Sequence, residues 1–428
     1  MSLNSLLALA PARKQGRHAG ITSVCSAHPQ VIGAALALGR SEGKDVLIEA
    51  TCNQVNQDGG YIGMTPADFR RFVERIAAVE GFDTSRLLLG GDHLGPNPWK
   101  HLPARIAMDK ASTMIAAYAT AGFKKLHLDT SMSCADDPTP LSDAIIATRS
   151  ARLAAVAEAH SSGRPPVYVI GTEVPIPGGA LEVVEHLTVT TPAAARATVA
   201  VHAEAFAREG ISDAFGRVIG LVVQPGVEFG NGNVIAYDPA ASHDLVAALD
   251  TLPMLYEAHS TDYQTPNALA ALVKDGFAIL KVGPGLTFAL REALYGLDHI
   301  ADALFPTRPA PLRGTMERVM LANPDNWAKY YPGSPQHQYL QRHYSYSDRI
   351  RYYWATPEAT KAVTDLMDLF GEIAVPEPLI SQHLAGSYPD VMAGRVKPTA
   401  TGLIRAAITR MLVDYSAAAG DLPPPPLT

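Results

Sequence analysis

Several short stretches set titratable side chains directly after apolar runs. In "LLLGGDHLGPNPW" (87–99), Asp92 and His93 follow three leucines and two glycines. In "LYEAHSTDYQTP" (255–266), Glu257 and His259 lie two residues apart and so face the same way along a strand. "LHLDTS" (126–131) ends a similar run at Asp129, and "GTEVPIPGG" (171–179) ends one at Glu173. Imidazole can ligate a metal or transfer a proton near neutral pH. A carboxylate beside it can take the proton or hold the ring. The predicted assignment is therefore His93, Glu257 and His259 as ligands of a divalent metal, with Asp92, Glu173 and Asp129 handling protons. A Lewis-acidic ion with such carboxylates would serve carbon–carbon cleavage or epimerisation next to a carbonyl. Plainer roles compete: a loop cap for Asp92, a helix start for Asp129, an internal ion pair with Lys281 for Glu257. Gly90 and Gly91 are expected to loosen the chain before the Asp–His pair.

Other stretches suit a polyhydroxylated or anionic ligand. "TCNQVNQDGGYIG" (51–63) is rich in amides, which both donate to and accept from hydroxyls. Glu49, Asn53, Gln54, Gln57, Gln224, Ser260 and Lys281 are the predicted substrate contacts. In "KVGPGLTFALREAL" (281–294), Gly283 and Gly285 open a helix whose N–H groups could meet phosphate, although Pro284 removes one donor. No GxxxxGK[ST] motif occurs, so nucleotide-dependent phosphoryl transfer finds no support. Cys25, Cys52 and Cys134 form no CxxC and read as buried fillers.

The elements that must position these groups alternate regularly. Strand-like runs fall at 21–27, 45–51, 86–92, 125–131, 167–174, 218–226, 254–260 and 278–284. Thr65-Pro66, Thr139-Pro140, Thr191-Pro192 and Thr265-Pro266 mark helix starts: threonine caps, and proline has no N–H to leave unpaired. Gly43, Gly81, Gly122, Gly163, Gly210 and Gly276 mark helix ends. Phe69, Val73, Ile76 and Val79 recur at helical spacing and predict one buried face. Eight βα units predict an α/β fold, a (β/α)8 TIM barrel over residues 15–302. A doubly wound sheet is disfavoured because no strand is followed by GxGxxG. In such a barrel chemistry sits where strands end, and the polar residues above gather at those ends.

Residues 303–420 read as a mainly helical, aromatic-rich extension packed on the barrel. From it Arg349 and Arg351 are predicted to reach over the mouth toward phosphate. The tail 421–428, "DLPPPPLT", reads as disordered. The 428 residues carry 35 basic and 42 acidic side chains, a net −7 with no basic block, which excludes nucleic acid as a partner. No apolar run reaches a membrane span and no secretory signal is evident, so a cytoplasmic location is expected.

These motifs, with "EATCNQVNQDGGYIGMTPADF" and "KLHLDTSM", resemble the tagatose-bisphosphate aldolase accessory-subunit family (GatZ/KbaZ-like), over nearly the whole chain. The resemblance implies a cytoplasmic protein of galactitol or N-acetylgalactosamine catabolism that supports a separate class II aldolase subunit. Members are often labelled tagatose-6-phosphate kinases, a label the residues do not motivate. More distantly the chain is similar to metal-dependent class II ketose-bisphosphate aldolases. That likeness implies that Asp92 and His93 correspond to their Asp–His pair after strand three, and Glu173 to their carboxylate after strand five. Where those enzymes place further zinc histidines, this chain has "QPGVEFG" and Glu257. The expected function is a non-catalytic or accessory aldolase subunit that binds ketose phosphate at the barrel mouth. The alternative is a stand-alone ketose phosphate aldolase or epimerase using zinc, manganese or magnesium. An oligomer is expected.

Overall fold

The eight apolar runs become eight parallel strands in a computed structural model that describes residues 2–172, 187–308 and 311–421. They are β1 (Ile21–Cys25), β2 (Val46–Thr51), β3 (Leu87–Leu94), β4 (Lys125–Leu128), β5 (Val167–Ile170), β6 (Val218–Val223), β7 (Leu255–Ala258) and β8 (Phe277–Val282). Each pairs with its neighbours in sequence, and β8 pairs with β1 to close the barrel. A short hairpin, Glu228–Phe229 with Val234–Ile235, lies between β6 and β7. Helices cover the outside of the cylinder. The fold is the (β/α)8 barrel expected from the alternation.

Local signals explain most boundaries. Thr65, Thr191 and Thr265 each accept a hydrogen bond from a backbone N–H in the first turn, and a proline follows each. All six glycines expected at helix ends have positive φ. Two expectations are corrected. The helix after β4 begins at Asp143 with Ser142 as its cap, not at Thr139-Pro140. In the helix Pro66–Glu80 the buried face is Phe69, Val73 and Ala77, while Val79 is 85% exposed. Val79 lies ten residues from Phe69, and 3.6 residues per turn carries it off the core face.

The N-terminal helix Ser2–Lys14 closes the lower end of the barrel. Leu3, Leu6 and Leu9 pack on Ile21, Leu47, Leu88, Val167, Leu255 and Ile279, from the first halves of their strands. The C-terminal segment is helical from Leu312 onward. Its last helix, Ala400–Ala419, packs against the helices Pro29–Glu42, Pro266–Lys274 and Pro284–Leu304. Trp327, Tyr331, Tyr353 and Trp354 are buried in the core shared with the barrel wall, whereas Tyr344 is exposed. Beyond Asp421 the tail lies outside the described residues. Among the described residues no helix is long and apolar enough to cross a membrane.

Candidate functional site

Asp92 and His93 are adjacent, so in a regular strand they would point to opposite faces. The pairing of β3 with β4 shifts register between Gly91 and Leu94, and His93 takes a φ of 49°. This irregularity turns both side chains inward, as bulges beside active sites do. The preceding glycines do not loosen the chain. They lie within β3, where a Cβ on Gly90 would come within 2.5 Å of Glu49 and one on Gly91 within 2.5 Å of Leu94. Their role is to leave room for neighbouring side chains.

Inside the upper barrel these groups meet a charged cluster. Lys125 Nζ lies 2.7 Å from both Glu49 Oε1 and Glu257 Oε2. Lys281 pairs with Glu49, with Asp92 Oδ1 at 2.8 Å and with Glu257 Oε1 at 3.8 Å. Glu257 therefore does join the internal ion pairing with Lys281. His93 Nδ1 is 2.8 Å from Asp129 Oδ2, and Asp129 also accepts from Ser131. His127 Nδ1 is 2.8 Å from Asp92 Oδ1, and His259 Nε2 is 2.9 Å from Glu257 Oε1. The rings of His93, His127 and His259 form a triangle with centroids 4.9–5.1 Å apart. All of these side chains are buried except Ser131, which is half-buried.

Burial opposes charge on each of them, and the partners decide the outcome. Burial would raise Asp92, but the adjacent His93 and Lys281 charges outweigh it and hold the carboxyl well below the usual range. Burial likewise opposes the His93 cation, yet Asp92 and the Asp129 hydrogen bond raise its pKa. At His259 burial wins, and the pKa falls to about 4.

Asp92, His127, Glu257 and His259 each offer one ligand atom, all within 4.8 Å of one another. With Nδ1 turned to Asp92, His127 Nε2 is buried and has no hydrogen-bond partner. An imidazole oriented by a carboxylate, with its other nitrogen bare, is the usual form of a metal-ligating histidine. Four carboxylates (Glu49, Asp92, Asp129 and Glu257) face two ammoniums here, an excess that suits a divalent cation. These donors fit such an ion. His93 stands beside the set, its Nδ1 committed to Asp129.

Of the predicted substrate contacts, Asn53, Gln54, Ser260, Lys281, Gly283 and Arg351 line the mouth above the cluster, a cavity of about 90 Å³ roofed by Tyr61 and Tyr352. Glu49 lies below, in the ion pairs. Three contacts are corrected. Gln57 turns away and donates to the Lys110 carbonyl. Gln224 closes a turn by accepting from the N–H groups of Gly226 and Val227. Arg349 stacks on Tyr330, 3.3 Å from the ring centroid, and donates to the Asn326 carbonyl. The phosphate reading of Gly283 and Gly285 is also corrected: both N–H groups donate to Asp262 Oδ1, at 2.9 and 2.7 Å. A carboxylate from the chain itself fills that anion position. Cys52 and Cys134 are buried fillers as expected, whereas Cys25 lines the mouth. Glu173 lies outside the described residues.

Sequence reasoning missed Lys125 and His127. Their signal was present in "KKLHLDTS", where Lys125, His127 and Asp129 alternate at period two and so share the inward face. The positive φ values point the same way. Among the described residues the non-glycine cases are His93, Ser260, Tyr263 and Asp348, at φ 45–65°. His93 and Ser260 line the mouth, and Asp348 immediately precedes the segment Arg349–Tyr353 that bears Arg351 and Tyr352. Strained backbone of this kind concentrates at functional sites.

Residues 6–420 match the model of one family, described as D-tagatose-1,6-bisphosphate aldolase subunit GatZ/KbaZ-like. The chain belongs to this family. A curated member from Agrobacterium fabrum (strain C58 / ATCC 33970), named D-tagatose 6-phosphate 4-epimerase, is 55% identical over 418 residues, covering 96% of this chain and 98% of its own. A crystal structure from Sinorhizobium meliloti 1021, described as a probable tagatose 6 phosphate kinase, is 61% identical with a TM-score of 0.88. That alignment covers 94% of this chain and all of the other, and the GatZ/KbaZ-like match over residues 6–420 likewise spans both barrel and extension.

Proposed function

We propose that this GatZ/KbaZ-like chain is itself an enzyme that inverts C4 of a ketose phosphate, by reversible cleavage of the C3–C4 bond at the barrel mouth. The observation that carries the reading is the Asp129-backed His93 standing against the donor set Asp92, His127, Glu257 and His259. The relative named D-tagatose 6-phosphate 4-epimerase supports it.

C4 is one carbon too far from a C2 carbonyl for simple proton abstraction to invert it. Breaking C3–C4 solves this. The O4 proton leaves, the C3–C4 electron pair moves onto the three-carbon ketone fragment as an enediolate, and C4 becomes an aldehyde. The aldehyde turns its other face, the bond re-forms, and O4 regains a proton. In this reading His93 takes and returns the O4 proton, with Asp129 fixing its ring. Glu173, three residues beyond the end of β5 in sequence, is the candidate for a second proton-handling group. Asn53, Gln54 and Ser260 would hold sugar hydroxyls. A divalent ion held by Asp92, His127, Glu257 and His259 would supply Lewis-acid stabilisation of the enediolate charge.

The test is incubation of the purified chain alone with D-tagatose 6-phosphate, followed by NMR for the C4 epimer, D-fructose 6-phosphate. Appearance of the epimer, lost on chelation and restored by divalent metal, is the expected result. No turnover alone, with increased activity of a class II aldolase on mixing, would instead assign an accessory role within an aldolase, in line with the subunit that the family description names.

A further inference from the structure

We infer that the mouth accepts a ketose bearing a single phosphate, that Arg351 from the C-terminal extension recognises it, and that a second phosphate at the other end of the sugar is turned away. This rests on the reading of the mouth as a ketose phosphate site.

The argument is a count of positive charge. Among the described residues two strong cations line the mouth, Lys281 and Arg351. Lys281 is already shared among Glu49, Asp92 and Glu257. Arg351 is differently placed. Its guanidinium donates to the backbone carbonyls of Ser347 and Asp348 and to the Tyr352 hydroxyl, and no described carboxylate is in ion-pair contact with it. An arginine held by neutral partners keeps its full charge for a ligand, and its planar fork suits phosphate.

The other place where an anion could bind is taken. The N–H groups of Gly283 and Gly285, at the start of the helix Pro284–Leu304, already bond Asp262, which itself lines the mouth. The floor below is rich in carboxylates and would repel a phosphate.

Beside the mouth lies a larger chamber of about 520 Å³, lined by residues 27–30 on one side and by the extension helix Pro357–Phe370 on the other. The two spaces share Cys25, Gln54, Tyr61, Gly283 and Arg351, and among the described residues Arg351 is the one lysine or arginine lining this chamber. Residues 173–186, "EVPIPGGALEVVEH", which lie outside the described residues, contain no lysine or arginine. With the reacting carbons over the floor, the two ends of a ketohexose point apart, and one cation can serve only one of them.

Two measurements test this on the full-length chain. The first is kcat/KM for D-tagatose 6-phosphate divided by that for unphosphorylated D-tagatose, in wild type, Arg351→Ala and Arg351→Lys. The ratio should fall roughly 30-fold or more in the alanine variant. It should fall less in the lysine variant, which keeps the charge and loses the fork. An unchanged ratio in the alanine variant overturns the assignment. If that variant does not fold, an unchanged ratio in the lysine variant does so. The second is calorimetric binding of D-tagatose 6-phosphate and D-tagatose 1,6-bisphosphate. Wild type should bind the monophosphate at least tenfold more tightly, and equal or tighter binding of the bisphosphate overturns the single-phosphate claim. Calorimetry also separates this inference from the reaction. A chain that binds the monophosphate through Arg351 without turning it over would sink the epimerase reading and leave this one standing.

Discussion

Moving two residues up the inside of β2 replaces Leu47 with Glu49. The same step replaces Leu255 with Glu257 in β7 and Ile279 with Lys281 in β8. Below, these columns meet the leucines of the helix Ser2–Lys14 and form an apolar plug. Above, they meet Lys125, Asp92 and three histidines. One barrel thus has a lower half stabilised by removing hydrocarbon from water and an upper half held by mutual neutralisation of charge. The comparison teaches why the two halves should respond differently to damage. The lower half can lose stability without losing chemistry, and in the upper half the same residues serve both.

The largest expected effect lies in the upper half. His93→Asn keeps a residue that tolerates positive φ but cannot relay a proton. It should lower kcat by about 10²–10⁴-fold while circular dichroism shows the fold intact. A loss of less than tenfold would separate His93 from the chemistry and blur the contrast. Next comes Lys125→Met, which removes one of the two ammoniums that Glu49 and Glu257 share. Urea denaturation should show a loss of about 3–5 kcal/mol, the usual result of removing one partner from a buried ion pair. A loss under about 1 kcal/mol would mean that the cluster does not depend on that pairing. The smallest effect belongs to the lower half. Leu6→Ala should cost about 2–5 kcal/mol in the same experiment, toward the low end because the plug helix sits at a chain terminus. Its kcat per folded molecule should match wild type, and a drop would show that the halves are coupled.

Much of this architecture is legible in residue order. Threonine-proline starts and glycine stops delimit the helices, and eight apolar runs between them become the strands. Asp92, His93, Asp129, Glu257 and His259 are legible as site residues because each ends an apolar run. Lys125 and His127 are harder to see, since they fall within a strand of only four residues and look like its body. Gln57, Gln224 and Arg349 have the right chemistry near the right strand ends. Their hydrogen bonds are nevertheless spent on Lys110, the Gly226–Val227 turn and Asn326.

Sequence alone determined the period, the caps and the end of the barrel at which polar residues collect, because these follow from local sterics and from alternation along a strand. Tertiary structure alone decided which charges cancel. Lys281 is neutralised by acids from β2, β3 and β7, the Gly283 and Gly285 N–H groups are filled by Asp262, and Arg351 is left with neutral partners. Pairings of this kind join residues far apart in the chain, and they depend on distances that only the closed cylinder sets.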